Sequence, residues 1–160
     1  MADVFNAVEI LKIAQGIEKN GERFYRRAAE IVKDADAKKT LFELAEMEKK
    51  HEKTFAEMES RFVASNKELR ISDIGEEAEV YLRAFAEGRV FDLNVGPEKL
   101  LKKGTAWKDI LKTAVGLEKD SIVFYLGVRL MTPDSLGKKQ IEDIIAEELR
   151  HICMLNLAVS

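Results

Sequence analysis

The sequence predicts an all-α fold: a four-helix bundle of two helical hairpins joined by a long crossover that carries a short extra helix. Three observations predict it. Four long segments place apolar residues at helical spacing. Proline, which breaks helices, occurs only at Pro97 and Pro133. The chain also repeats itself at an offset of 100 residues, so that Gly16-Ile17-Glu18-Lys19 with Phe24-Tyr25 returns as Gly116-Leu117-Glu118-Lys119 with Phe124-Tyr125.

The first segment spans about residues 4–32, with Phe5, Val8, Leu11, Ala14, Ile17, Phe24, Ala28 and Ile31 on one stripe. Asp34 and Asp36 supply turn and N-cap chemistry before the second, about residues 37–63, whose inward series is Leu41, Leu44, Phe55, Met58 and Phe62. A connector of about residues 64–104 is far longer than a bundle loop needs. It holds one shorter helix, roughly Glu76 to Phe91, with Val80, Tyr81, Leu82, Phe85, Val90 and Phe91 available to cap the bundle or a second subunit. The third long helix is expected from near Thr105 to Met131. Thr132-Pro133-Asp134 reads as an N-cap, a proline at the first position and an acid in the first turn of the fourth. The repeat, about residues 5–63 and 105–159, implies one domain over 1–160, its hairpins packed about a pseudo-two-fold axis.

Composition bounds the function. Apolar residues at 46% and charged residues at 34% describe a folded helical chain. A net charge of −3 argues against nucleic acid as partner. No apolar run approaches the ~20 residues of a membrane span, and the N-terminus lacks the pattern of a signal peptide; a cytoplasmic location is the expectation. Cys153 is the one cysteine, which excludes an internal disulfide or a thiolate cluster within this sequence.

The chemistry sits in the only two histidines. Each ends a Glu-x-x-His pattern, Glu48 to His51 and Glu148 to His151, and each has a further glutamate on the partner helix of its hairpin, Glu18 or Glu118. Residues at i and i+3 share a helix face. That face is the packed one, because these groups interrupt Leu41, Leu44, Phe55 and Met58 in one half and Ile141, Ile144, Met154 and Leu155 in the other. Residues that only made surface salt bridges would not lie on an apolar stripe. Four buried carboxylates are untenable alone, whereas two divalent cations neutralise them. A set of oxygens with two nitrogens and no sulfur favours iron or manganese over structural zinc. The predicted metal-binding residues are therefore Glu18, Glu48, His51, Glu118, Glu148 and His151, around two iron ions, with manganese or a mixed pair as the alternative.

On Glu18 with Tyr25, Glu48-x-x-His51, Glu118 with Tyr125, and Glu148-x-x-His151, nearly the whole chain resembles the ferritin-like superfamily, most closely its rubrerythrin-related branch. The resemblance implies a ferritin-like bundle and a di-iron centre that reacts with hydrogen peroxide or dioxygen. It also implies a homodimer or larger homo-oligomer. Members act as peroxide reductases, ferroxidases for iron storage, or oxidases, and a purely structural di-metal bundle is a third reading. Two departures stand out. The cysteine pairs of a rubredoxin-type domain are missing, so electrons would come from a separate donor such as a rubredoxin-like protein. The extra carboxylate that rubrerythrins place three residues after the third helix's glutamate is Ser121 here, which makes the ligand set symmetric and closer to the bacterioferritin pattern.

Tyr25 and Tyr125 follow their glutamates by seven residues on nearly the same face. They are expected to hydrogen-bond a carboxylate of the neighbouring antiparallel helix, the alternative being plain core aromatics. Glu22 reads as a surface or semi-buried residue, since its repeat partner is Ile122. Glu46, Glu52 and Glu147 read as solvated, Cys153 as a buried inert thiol, and Trp107 as packed under the crossover.

Overall fold

The computed structural model describes residues 6–66, 75–86 and 95–158. Among them are five α-helices: α1 (Ala7–Ile31), α2 (Ala35–Ser65), α3 (Glu76–Ala86), α4 (Trp107–Met131) and α5 (Lys138–Leu157). A 3₁₀ turn at Pro97–Leu100 and another at Asp134–Leu136 complete the order. The four long helices form the all-α bundle that the sequence predicts. Phe5, Val90 and Phe91 lie outside the described residues.

Local chemistry explains the helix ends. Asn6 accepts from the Glu9 amide while the Glu9 carboxylate accepts from the Asn6 amide, a capping box that opens α1. Asp34 caps α2 by accepting from Ala37 N at 2.8 Å, as its position in the sequence implies. The start of the fourth long helix differs from the expectation. Thr132 Oγ1 donates backward to Val128 O at 2.8 Å, so it closes α4 instead of opening α5. Pro133 and Asp134 enter the short 3₁₀ turn, and α5 begins only at Lys138, after Gly137 at φ 111°. A Cβ at Gly137 would also stand 3.2 Å from the Met58 Cε of α2. Gly137→Ala is therefore expected to lower unfolding stability by about 1–3 kcal/mol through left-handed strain and this contact, as a urea denaturation series would measure.

Within each half the long helices pack as a hairpin, α1 on α2 and α4 on α5, and the hairpins meet along α1–α4 and α2–α5. Their directions follow from side-chain contacts. Tyr25 reaches Glu118 while Tyr125 reaches Glu18, so α1 and α4 run antiparallel. Apolar residues gather in two clusters. One holds Ile10, Leu11, Phe55, Met58, Val128 and Ile141, the other Phe24, Ala28, Leu41, Leu44, Ile110 and Leu155. In sequence the polar residues Glu18, Glu48, Glu118 and Glu148 fall between the two sets on every long helix, so a polar layer is held between two apolar plugs.

The crossover helix packs on the flank of this bundle, against α4 and α1. Leu82 and Phe85 of α3 are buried in the first cluster, and the Phe85 ring packs against Phe124 with centroids 4.4 Å apart and planes tilted by 35°. Gly127 makes the approach tight: a Cβ there would lie 3.0 Å from a Leu82 methyl. Trp107 is partly buried at the start of α4 and packs in the second cluster with Leu101, where the connector ends. No helix among the described residues is long and apolar enough to cross a membrane.

Candidate metal centre

All six predicted metal-binding side chains meet in the polar layer, and each is nearly inaccessible to solvent. Each hairpin supplies three: Glu18 from α1 with Glu48 and His51 from α2, then Glu118 from α4 with Glu148 and His151 from α5. Their donor atoms form two overlapping sets of four, each within 4.8 Å: Glu18, Glu48, His51 and Glu148, and Glu48, Glu118, Glu148 and His151. Glu48 and Glu148 belong to both. The imidazoles stack with centroids 5.5 Å apart, 17° from parallel, and both direct Nδ1 at the carboxylates.

These atoms crowd without satisfying one another. His51 Nδ1 lies 3.2 Å from Glu148 Oε1, and His151 Nδ1 lies 2.8 Å from Glu148 Oε2. Yet Glu18 Oε2, both Glu148 oxygens and both Nδ1 atoms are buried without an aligned hydrogen bond among the described residues. Buried polar atoms are normally paired. Atoms that point past one another toward shared positions are what a pair of cations would satisfy, so the residues fit such a pair.

In the metal-free protein the charges resolve unevenly. Burial, helped by neighbouring carboxylates, raises Glu18, Glu48 and Glu118 well above the usual carboxylate range. Glu148 goes the other way: burial would raise it, but the close approach and charge of the His151 and His51 imidazoles hold it down to about 2. Burial alone would lower His51, and the carboxylates of Glu148, Glu48 and Glu147 instead hold it at about 9. His151 is raised too, by Glu118, Glu148 and Glu48 against its burial.

Tyr25 and Tyr125 are buried, and their hydroxyls donate to Glu118 Oε1 and Glu18 Oε1 respectively. The expected crossed contact to the opposite hairpin is present in both halves. Each tyrosine fixes the glutamate that belongs to one set of four only.

A cavity of about 20 Å³ reaches this layer between α1 and α4. Tyr25, Glu48 and Glu118 line it on the inside, Asn20, Gly21 and Ser121 on its sides, and Phe85 and Pro97 of the crossover beyond. Its volume suits a molecule about the size of water. Gly21 and Ser121, equivalent in the repeat, keep the passage narrow but open; a Cβ at Gly21 would come within 3.1 Å of Glu48 Oε2.

The rubrerythrin family model matches residues 6–93, more than half of the chain. The chain belongs to the rubrerythrin family. A crystal structure from Thermotoga maritima, of a protein described provisionally as a ferritin-like diiron-carboxylate protein, superposes with a TM-score of 0.69 at 26% identity, over 97% of this chain and 95% of that one. A search of curated proteins finds no significant match. Family and fold thus agree with the buried Glu/His cluster in pointing to a dinuclear metal site in this rubrerythrin-family chain.

Among the neighbouring residues, Glu22, Glu46 and Glu52 lie as expected, and Glu147 and Cys153 do not. Glu22 and Glu46 both pair with Arg26, and Glu52 with Lys19, so these remain peripheral. Glu147 does not point away: its Oε2 accepts from His51 Nε2 at 2.7 Å, across the hairpin interface. Sequence reasoning missed it because the patterns were read within each helix, and its partner lies on another. Cys153 is exposed, not buried, since a position two residues after an inward histidine turns away from the core.

Proposed function

We propose that this rubrerythrin-family chain is a di-iron oxidoreductase that reduces hydrogen peroxide or dioxygen. The observation that carries the reading is a cavity with room for a small molecule, lined by Glu48 and Glu118 at the edge of the carboxylate layer. A site serving only to staple the bundle would need no such cavity.

On this reading Glu18, Glu48, His51 and Glu148 would hold one ion and Glu118, Glu48, Glu148 and His151 the other, with Glu48 and Glu148 common to both sets. A reduced iron pair supplies the two electrons that cleavage of an O–O bond requires. The protein does the rest. Tyr25 and Tyr125 hold the outer carboxylates in place. The apolar clusters on either side exclude bulk water and lower the local dielectric. Electrons would return from a separate donor protein in the cytoplasm.

The test is a stopped-flow mix of anaerobic Fe(II)-loaded protein with hydrogen peroxide or dioxygen, following the absorbance of the oxidised di-iron form. The Glu48→Ala, His151→Ala double variant is the control. Fast oxidation by peroxide with slow oxidation by dioxygen is the expected result for a peroxide reductase. Comparable rates with continued turnover of excess Fe(II), together with a native mass in the range of a large shell, would instead mark an iron-storage ferroxidase. Binding and absorbance no greater than in the double variant would refute the di-iron reading altogether.

A further inference from the structure

The two halves repeat the six central residues, but they do not repeat what stands behind the histidines. His51 presents Nδ1 to the carboxylate layer, and its other nitrogen, Nε2, is 2.7 Å from Glu147 Oε2. Glu147 is 37% exposed and comes from α5, the helix of the opposite hairpin. Its repeat equivalent on α2 is Met47, which offers no charge and no strong acceptor. His151 Nε2 is correspondingly buried and has no hydrogen-bond partner among the described residues.

A carboxylate behind a metal-bound imidazole fixes the ring's orientation and tautomer and makes the coordinating nitrogen more basic. One histidine has this support and the other does not. We propose that the two metal positions are inequivalent, with Glu147 as the positioning residue that makes the His51 position the tighter one. This rests on the dinuclear reading above and adds an order to it: the ion beside His51 binds first and stays, while the ion beside His151 binds second and exchanges. Glu147 does this through the outer edge of the ring, without being a ligand itself. The crossed contact also ties α5 to α2, so loading the first position braces the interface that the second position uses.

Anaerobic titration of the metal-free protein with cobalt(II), followed by calorimetry and visible absorbance, tests this directly. The wild type is expected to bind two ions in separable steps, the first at least about 10-fold tighter. Glu147→Ala should weaken the tighter step by roughly 10- to 100-fold and leave the weaker step within about 3-fold, so the two merge. Glu147→Gln, which keeps an acceptor oxygen but loses the charge, should fall between. Glu52→Gln removes the same charge beside His51 without touching the ring and should leave both steps unchanged. In the cobalt-loaded wild type, one paramagnetically shifted, exchangeable imidazole N–H resonance should be slow to exchange, and Glu147→Ala should broaden it.

Two equal ions in the wild type would overturn the inequivalence while leaving the dinuclear reading intact. Equal weakening of both steps by Glu147→Ala, or the same loss from Glu52→Gln, would reduce Glu147 to general electrostatics and also overturn it. No cobalt bound at all would sink both readings together.

Discussion

Glu148→Gln and Glu48→Gln are expected to look alike in metal binding and opposite in the stability of the metal-free protein. Both residues belong to both sets of four donors, so either amide should cost the second ion outright and weaken the first by at least about 100-fold. Calorimetric titration with Fe(II) under anaerobic conditions would read this, and the oxidised di-iron absorbance should disappear in both. Without metal the two carboxylates play different parts. Glu148 is ionised, held down to about 2 by His51 and His151, and is the anion that those two buried imidazoliums share. Neutralising it strands two buried cations, at a cost of about 3–5 kcal/mol. Glu48 is the opposite case: its burial and the charges of Glu148 and Glu18 raise it and favour its protonated form. An amide there resembles the form it replaces, and the change should stay within about 1 kcal/mol. Urea denaturation of the two metal-free variants separates them. Equal destabilisation by both would mean that the charge in the layer is spread evenly.

The same contrast shows what could be read in the sequence. Glu48 and Glu148 are indistinguishable there, each three residues before a histidine and each on an apolar stripe. That pattern located the centre, because helical periodicity decides which side chains face inward and the 100-residue repeat brings two such faces together. The hairpin arrangement and the crossed tyrosine contacts followed from the same geometry. What stayed hidden depends on neighbours from other helices. Glu147 sits beside Glu148 on a face that looks solvated within α5, and only the packing of α2 against α5 brings His51 to it. Thr132-Pro133-Asp134 has the composition of a helix start, yet Gly137 breaks the backbone three residues later and delays α5 to Lys138. The Asn6-Glu9 capping box went unread, although Asn-x-x-Glu before an apolar run is a local signal: the first helix, expected from about residue 4, begins at Ala7.

Metal and pH should act on stability with opposite signs. In the metal-free protein His51 is raised to about 9 from an ordinary value of 6.5. A raised histidine contributes its full stabilisation below its unfolded value and loses it as pH climbs through the folded one. The raised carboxylates Glu18, Glu48 and Glu118 push in the same direction, because above about pH 4.5 the unfolded chain ionises them freely and the folded chain resists. Glu148 contributes stability that is lost only toward pH 2, outside this window. Melting of the metal-free protein should therefore fall as pH rises from 6.5 to 9, by roughly 5–10 °C. Loaded protein should lose this dependence and stay nearly level. Its ligands must be deprotonated carboxylates and neutral imidazoles, so binding releases protons and strengthens with pH. The gap between loaded and metal-free melting temperatures should then widen steadily from pH 6.5 to 9, measured by calorimetry with excess Mn(II) and with a chelator. A gap that is constant across that range would mean that the six central residues hold the same protons with and without metal. The charge compensation argued for this layer would then be wrong, because two divalent ions replace the protons that let four carboxylates and two imidazoles share one buried site.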